Sequence, residues 1–305
     1  MRRKSARSVA EHGIAQRHAM IPQAHQTHPH LMLHRLCELF GISRSWYYEH
    51  ADQPDQDAEE TVLRDQIEQI ILEFPGYGYR RVTHALSRQG STVNHKRVLR
   101  IMREESLLCH LKKRFVVTTT NSRHGLPVYP NRLAAVVLTA PDQAWVADLT
   151  SIRLRSAFVY QACILDAFSR RCVGWHLSRD MTTQLTLNAL RMASAQRHPA
   201  PGLIHHSDRG VQYASYEYVQ HLEQIEAQIS MSSVSNPYEN AKAESFFKTL
   251  KQEEVSLKEY ESFADAEANL AVFIEQVSNL KRLHSSLGYL PPAEFEATSA
   301  SPSRS

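Results

Sequence analysis

The spacing of apolar residues changes character part-way along this chain. In the first part, apolar residues recur every three or four positions, as Leu33, Leu36 and Leu39 do, which is the spacing of one helical face. After about residue 140, runs rich in β-branched and aromatic residues indicate strands. The pattern therefore predicts a helical region followed by an α/β domain.

Three helices joined by tight turns are predicted between Thr61 and Leu108. Their sequences are TVLRDQIEQIILEF, YRRVTHALSRQG and NHKRVLRIMREESL. Gly90 ends the second helix, and Asn94 precedes the third, where asparagine is a favoured N-cap residue. Two shorter helices flank a glycine turn at Gly41. Three short helices joined in this way are typical of a helix-turn-helix.

Five strands are predicted in the second half of the chain. The first three, QAWVADLTSIRL, FVYQACILDAFS and RCVGWHLS, are joined by short links, which favours an antiparallel meander. Two more, GLIHHSD and QISMSS, alternate with helices. The fold class is thus α/β, with a mixed five-stranded sheet flanked by helices. An all-α region precedes this core and a helical C-terminal extension follows it.

Changes in this pattern divide the chain into six segments. The first is expected to be flexible because its Arg, Gln, His and Pro residues show no periodicity. The predicted segments are a basic tail at 1–30, a helix-turn-helix region at 31–120, a linker at 121–139, the α/β core at 140–256, a helical extension at 257–297 and a disordered tail at 298–305.

Positive charge is concentrated in the predicted helix-turn-helix. The net charge is only +3, but Gly76–Phe115 holds ten Lys or Arg against two Glu. Basic residues on an exposed helix face can meet DNA phosphates, whereas the alternative is an ordinary solvated basic face. We predict that the region at 31–120 binds DNA through five residues: Arg80, Arg81, Lys96, Arg97 and Arg100.

Composition excludes a membrane protein. Hydrophobic residues make up 42% of the chain, and no apolar run approaches the roughly 18 residues of a membrane span. Because the N-terminus lacks the apolar stretch of a secretory signal, we expect a cytoplasmic protein that is associated with the nucleoid when bound to DNA. The four cysteines occur singly, without the spacing of a zinc site or a disulfide framework.

Three acidic residues are candidates for a metal-dependent active site. Asp148 lies within the first strand, Asp208 ends the fourth strand, and Glu244 lies near the start of a helix. Carboxylates about 4 Å apart repel by roughly 4 kcal/mol at an effective dielectric constant of 20, so a cluster of them needs cations. If the first and fourth strands are neighbours, their ends bring both aspartates together. We predict that all three residues are catalytic and bind metal.

Two lysines share a helix face with Glu244. At about 100° per residue, Lys248 and Lys251 lie within roughly 40° of it, so we predict that they contact DNA phosphate. The alternatives to a catalytic role are structural. Asp148 would be in an ion pair and Asp208 in a turn, and Glu244 would pair with Lys248 four residues later.

Other polar residues nearby are expected to be structural. Asp166 also follows an apolar strand, but the arginines that come next in the chain are placed to neutralise it. His205 and His206 alternate across a strand, so at most one faces the aspartates, and packed histidines are favoured. Asn240 is expected to cap the helix of Glu244, and His284 is a candidate for a DNA contact.

These motifs resemble a known family. They are YGYRRVTHAL and VNHKRVLRIMREE in the helix-turn-helix, then QAWVADLTSI, ILDAFSRRCVGWHLS, GLIHHSDRGVQYAS, NPYENAKAESFFKTLK and KRLHSSLGYLPPAEFE. Over roughly residues 35 to 296, the chain resembles the second-reading-frame transposase (OrfB) of the insertion-sequence-three family, whose core is similar to that of retroviral integrases. Between Asp208 and Glu244 there are 35 residues, the separation typical of that family.

The resemblance implies a fold, a chemistry and partners. The core at 140–256 is expected to be a ribonuclease H-like integrase catalytic core that uses two Mg²⁺ or Mn²⁺ ions. Its substrates are then the terminal repeats of the element and target DNA, and Lys248 and Lys251 match integrase lysines that approach the DNA end. We expect the protein to form a multimer on DNA and to act with, or fused to, an upstream-frame protein.

Two rival functions fit the same residues. A DNA-binding regulatory protein or an inactive transposase remnant would bind DNA without catalysis, and a metal nuclease that hydrolyses RNA in hybrids uses a similar carboxylate cluster. The intact acidic triad disfavours the first rival. The basic helix-turn-helix, together with Lys248 and Lys251, disfavours the second. The sequence therefore predicts a DNA transposase/integrase, which is a polynucleotidyl transferase.

Overall fold

The computed structural model describes residues 13–51, 56–109, 125–233 and 240–300. The chain divides into two compact units, Met1–Gln66 and Ile67–Ser305. None of the helices in the described ranges combines the length and the apolar composition that a membrane span requires.

Three helices lie within the described residues 13–51 of the first unit, and the earliest of them was not expected from the sequence. Ile21 of the first helix is fully buried with Leu36 and Cys37. The prediction of a flexible tail at 1–30 is therefore wrong from Ile14 onward, while residues 1–12 lie outside the described part. Polar residues and Pro22 obscure the apolar spacing of this helix. The helices are α1 (Ile14–Thr27), α2 (Leu33–Phe40) and α3 (Arg44–Ala51).

The three helices predicted for the helix-turn-helix are confirmed. The Asn94 side chain accepts a hydrogen bond from the backbone N–H of Lys96 at 2.9 Å, so it caps the third helix as expected. Val82 and Leu86 of the second helix, like Ile101 of the third, are fully buried. These helices are α4 (Gln56–Glu73), α5 (Tyr79–Arg88) and α6 (His95–Glu104).

A mixed five-stranded sheet forms the α/β core, as the sequence predicts. The first three strands make the expected antiparallel meander. The fourth strand pairs with the first in parallel, and the fifth pairs with the fourth in parallel, so the order across the sheet is β3-β2-β1-β4-β5. The strands are β1 (Ala144–Arg153), β2 (Phe158–Asp166), β3 (Cys172–Ser178), β4 (Ile204–Ser207) and β5 (Gln228–Met231).

Helices cover both faces of this sheet, because successive strand residues point to opposite sides. Trp145, Ala147 and Leu149 of β1 pack with two helices on one face, whereas Val146 and Ile152 pack with two others on the opposite face. The helices of the first face are α7 (Thr183–Arg197) and α8 (Tyr216–Gln224). Those of the second face are α9 (Ala241–Leu250) and α10 (Phe263–Val272).

The C-terminal part continues in short helical segments. Both α9 and α10 end in a wider π-helical turn, at Lys251–Val255 and Phe273–Ser278. A 3₁₀ turn at Ser285–Leu287 leads to α11 (Pro292–Ala300). The predicted disordered tail at 298–305 is thus helical up to Ala300, and residues 301–305 lie outside the described part.

Within the second unit, the C-terminal part packs against the start of the helix-turn-helix. The Leu283 N–H donates to the Tyr77 hydroxyl at 2.7 Å, and the rings of His84 and Tyr289 stack with centroids 3.5 Å apart. Two ion pairs between the same two parts of the chain add to this contact. Arg88 binds both carboxylate oxygens of Glu294, and Lys281 binds Glu73 at 2.7 Å.

Candidate active site

Asp148 and Asp208 lie on neighbouring strands at the centre of the sheet. In the parallel pairing of β1 with β4, Trp145 lies beside His205 and Val146 beside His206. Extending this register by two residues places Asp148 beside Asp208, which directly follows the last residue of β4. The strand adjacency that the sequence left open is therefore present.

Glu244 approaches the same face of the sheet. Asp148 points to the same face of β1 as Val146, because the two residues are two positions apart. Val146 packs in one cluster with Ala243 and Phe246 of α9. Glu244 lies in the first turn of that helix and is exposed. Its helix is therefore one of the two that cover the face to which Asp148 points.

Asn240 ties the start of α9 to β1. Its amide donates a hydrogen bond to the backbone carbonyl of Ala147 at 3.3 Å. The expectation that Asn240 caps the helix is wrong in detail: it occupies the N-cap position, but its side chain makes no capping hydrogen bond. It positions the first turn of α9, and with it Glu244, against the strand of Asp148.

The charges of Asp208 and Glu244 act on the carboxyl group of Asp148. Burial, followed by the charges of Asp208 and Glu244, raises the pKa of Asp148 to about 8. The Leu149 N–H, which donates to Asp148 Oδ1 at 2.8 Å, and the more distant Lys251 ammonium act in the opposite direction. This is the electrostatic signature of a crowded acidic site.

The Asp208 carboxylate is held by the loop that follows β4. Its Oδ1 accepts a hydrogen bond from the Gly210 N–H at 2.9 Å. A β-carbon at Gly210 would lie 3.0 Å from that oxygen, so the glycine leaves room for the carboxylate. The turn alternative for Asp208 is thus partly correct, because this hydrogen bond closes a short turn.

No group of three His, Cys, Asp or Glu side chains within the described ranges converges closely enough to enclose a metal ion. The two aspartates are fixed by strands, whereas Glu244 is exposed on its helix. The two lysines predicted to share the helix face of Glu244 differ in exposure. Lys248 is exposed, whereas Lys251 is half-buried at the start of the π-helical turn.

The histidines before Asp208 are packed, as expected. His205 is buried and shares a hydrogen bond of 2.9 Å with the Tyr218 hydroxyl, and burial lowers its pKa to about 3. His206 is also buried and shares a hydrogen bond of 2.8 Å with Ser230. Both rings therefore serve the packing of the sheet.

Asp166 is structural, but not through the expected charge neutralisation. Its buried carboxylate accepts hydrogen bonds from the backbone N–H groups of Asp142, Phe168 and Ser169. Arg171, which was expected to neutralise it, instead pairs with Glu296 at 2.8 Å. Asp166 therefore closes the turn after β2.

The basic residues predicted to contact DNA differ in accessibility. Arg80 and Lys96 are exposed, and Arg97 is half-buried. Arg100 is exposed and pairs with Glu104 at 3.0 Å. Arg81 is half-buried, with its guanidinium 5.7 Å from the centroid of the Tyr77 ring, so it is directed away from the exposed helix face.

Comparison with known proteins adds family evidence to this geometry. Two integrase core domain families match residues 139–237 and 225–292, and an HTH-like domain matches residues 57–115. The Insertion element IS600 uncharacterized 31 kDa protein of Shigella sonnei is 39% identical over 85% of this chain and 97% of its own length. Transposase InsF for insertion sequence IS3A of Escherichia coli K12 is 32% identical over 86% and 92%.

The chain belongs to the insertion-sequence-three family of transposases. A further relative, the transposase for insertion sequence element IS904 of Lactococcus lactis, is 36% identical over 81% of this chain and 98% of its own length. The predicted ribonuclease H-like integrase core is confirmed, and the activity of this transposase is of the polynucleotidyl transferase type.

Solved structures similar to this transposase are distant. A simian T-cell lymphotropic virus intasome is 17% identical with a TM-score of 0.46, over 73% of this chain and 72% of the other. The HTLV-2 integrase catalytic core domain in complex with magnesium is 13% identical with a TM-score of 0.40, over 52% and 97%.

Proposed function

We propose that this transposase cuts and joins DNA at the terminal repeats of its own insertion element, with Asp148, Asp208 and Glu244 as its catalytic residues. The observation that carries the proposal is their common location. The register of the parallel strands β1 and β4 brings Asp148 beside Asp208. The helix of Glu244 packs on the face to which Asp148 points. The effect of the Asp208 and Glu244 charges on the pKa of Asp148 supports the same grouping.

The donor set suits two divalent cations, Mg²⁺ or Mn²⁺. These cations prefer carboxylate oxygens as ligands, and their positive charge offsets the repulsion between crowded carboxylates. Such a pair activates the attacking oxygen and stabilises the leaving oxygen. Asp148 and Asp208 supply oxygen ligands from fixed strands. Glu244, whose side chain is exposed, closes the site by a change of rotamer on α9.

The substrate assignment rests on charge and on the relatives. Lys248 and Lys251 place ammonium groups on the side of α9 that carries Glu244, where they bind the phosphates next to the reacting one. Water attacks first, and the freed 3′-hydroxyl then attacks a new phosphate in target DNA. No side chain becomes covalently attached. Assembly as a multimer on DNA and fusion to an upstream-frame protein belong to the same proposal.

The test compares carboxylate variants in cleavage and joining of labelled terminal-repeat DNA, with Mg²⁺ or Mn²⁺ added. Asp148→Asn, Asp208→Asn and Glu244→Gln keep the side-chain shape and remove the charge. We expect each to abolish strand transfer and to leave DNA binding intact. The matched control is Glu223→Gln, because Glu223 is exposed on α8, which covers the other face of the sheet.

Preserved joining by Asp148→Asn would refute the catalytic assignment. Tight binding of the terminal repeats by the unmodified chain, without cleavage in either metal, would instead favour the DNA-binding regulator or inactive remnant.

A further inference from the structure

A cationic groove lies beside α9, within the second unit. It consists of three cavities of about 100, 280 and 600 Å³ that share lining residues. Arg170 and Lys242 line all three, and Arg81 and His284 line the smallest. We call the surface formed by these four residues the cationic groove.

The cationic groove lies on a different side of α9 from the candidate active site. Lys242, Ser245 and Thr249 of this helix line it. At about 100° per residue they lie roughly 100° to 160° around the helix from Glu244, whereas Lys248 lies roughly 40° from it. A group bound in the groove is therefore not the phosphate that reacts at the carboxylates.

The turn after β2 is built to hold Arg170 in place. Arg170 has a φ of +65°, a left-handed conformation that non-glycine residues adopt only under constraint. The constraint is Asp166, whose carbonyl accepts the Arg170 N–H at 2.9 Å and whose carboxylate accepts the N–H groups of Phe168 and Ser169. These hydrogen bonds fix the backbone of the turn, and with it the direction in which the Arg170 side chain leaves the backbone.

The cations of the groove are only partly offset by carboxylates, since the charge of Asp166 acts on Lys242 and that of Glu253 acts on Arg81 without a direct ion pair within the described ranges. Within the described ranges, neither Arg170 nor Arg81 forms an ion pair, and burial lowers the pKa of both guanidinium groups. Lys242 donates to the backbone carbonyl of Ala167 at 2.8 Å, which fixes its ammonium without neutralising it. Three positive charges therefore converge on a partly enclosed space, an arrangement that favours an anion.

A neutral ring completes the smallest cavity. The Nε2 atom of His284 is buried without a hydrogen-bond partner. Burial, followed by the charges of Arg282, Arg81 and Arg170, lowers the pKa of His284 to about 3, so the ring stays neutral. It thus offers a hydrogen bond without adding charge.

We propose that the cationic groove binds a backbone phosphate of duplex DNA, as a second DNA contact away from the reacting phosphate. All four residues line the smallest of the three cavities. Its volume of about 100 Å³ is below the roughly 300 to 1,000 Å³ of a small-molecule site, so this cavity suits a single anionic group. Guanidinium and ammonium donors are those that bind phosphate best. Arg81, the residue after exposed Arg80 on α5, points away from the exposed helix face and lines the groove, so the helix-turn-helix contributes a cation to it. The inference rests on the proposed function for its DNA substrate.

The test uses the full chain with a double variant, Arg170→Asn with Lys242→Gln. Asparagine tolerates the left-handed backbone, so the turn is kept while the charge is lost. The control is Arg155→Gln with Lys258→Gln, which removes two cations that do not line the groove and are exposed. Affinity is measured by fluorescence anisotropy on a labelled terminal-repeat duplex and on a scrambled duplex, between about 50 and 200 mM salt.

We expect the double variant to bind both duplexes more weakly by the same factor. The slope of log affinity against log salt should fall by roughly 1, because the loss of one phosphate contact removes about 0.9. Mg²⁺-dependent cleavage at saturating DNA should be unchanged, whereas Asp148→Asn loses it. An unchanged salt slope in the double variant, with cleavage lost only in Asp148→Asn, would overturn the groove alone. A reduced slope in the double variant, with cleavage preserved in Asp148→Asn, would overturn the proposed active site alone.

A melting experiment with inorganic phosphate at constant ionic strength tests whether the groove binds a phosphate of DNA or a free phosphate ion. If it raises the melting temperature of the unmodified chain but not of the double variant, while duplex affinity is equal in both, the groove holds a free anion and the DNA assignment is overturned. Equal slopes for the double variant and the control also overturn it. Melting curves of both variants that match the unmodified chain exclude misfolding as the cause of a weaker affinity.

Discussion

The ion pair between Arg282 and Glu253 gives a sharp test of how the second unit is held together. The guanidinium donates two hydrogen bonds of 2.7 Å, one to each carboxylate oxygen, and the side chains are only 3% and 6% exposed. Gly76 packs directly on Glu253, where a β-carbon would overlap its side chain. The perturbation is Glu253→Gln, which keeps the shape and leaves the Arg282 charge buried and unpaired.

The expected cost follows from burial. Removing one partner of a buried pair destabilises by about 3 to 5 kcal/mol, a large share of the 5 to 15 kcal/mol typical of a folded domain. For a unit of this size that corresponds to a melting temperature lower by roughly 6 to 20 °C. Arg155 and Glu261 make a similar double contact at 3.0 Å but are 70% and 66% exposed, so Glu261→Gln should cost about 0.2 to 1 kcal/mol.

The assay is thermal unfolding followed by circular dichroism, at one protein concentration for all variants. A second comparison uses Glu253→Leu with Arg282→Met, which removes both charges and should recover much of the loss. Equal shifts for Glu253→Gln and Glu261→Gln would refute the argument, because burial would then not decide the cost. No recovery in the paired variant would show that packing rather than charge dominates there.

Three further outcomes are expected. Burial alone would raise the pKa of Glu296, but hydrogen bonds from Arg197, Ser169 and Arg171 lower it below its ordinary value of 4.5. Its stabilising effect is therefore complete above about pH 4.5 and lost as the pH falls through the folded-state pKa, so Glu296→Gln should flatten the acid dependence of the unfolding free energy. Gly174→Ala should destabilise by about 1 to 3 kcal/mol in urea unfolding, because the new methyl group meets the Ala189 carbonyl of α7. Asn94→Ala should cost about 0.5 to 2 kcal/mol by the same measurement, and no loss would refute its capping role.

The sheet could be predicted because local residue types encode strands. The adjacency of β1 and β4 could only be stated as a condition, since it depends on pairing between segments about 60 residues apart. The same limit explains Asn240, whose side chain bonds to β1 rather than to its own helix. Local capping rules contain no information about a strand that packs alongside.

Burial of single side chains was the least predictable property of the site. Arg81 carries the same charge as its neighbour Arg80, but it is half-buried beside a C-terminal segment some 200 residues later. The sequence does not single out Lys242, because it lies on the other side of α9 from Glu244. The sequence of α1 shows no clear apolar face, because the helix packs through few apolar residues. Ile21 is the one fully buried apolar side chain described in it.

The hydrogen bond between Leu283 and Tyr77 spans 206 positions of the sequence, and this separation has a consequence for synthesis on the ribosome. At about 5 to 20 residues per second, a nascent chain waits roughly 10 to 40 s after Tyr77 emerges before its partner segment is made. During that interval Tyr77, which is fully buried in the folded chain, lacks the C-terminal segment that it contacts. Product released early by a stop codon before Leu283 would stay in that condition, so cellular proteases should remove truncated copies faster than finished ones.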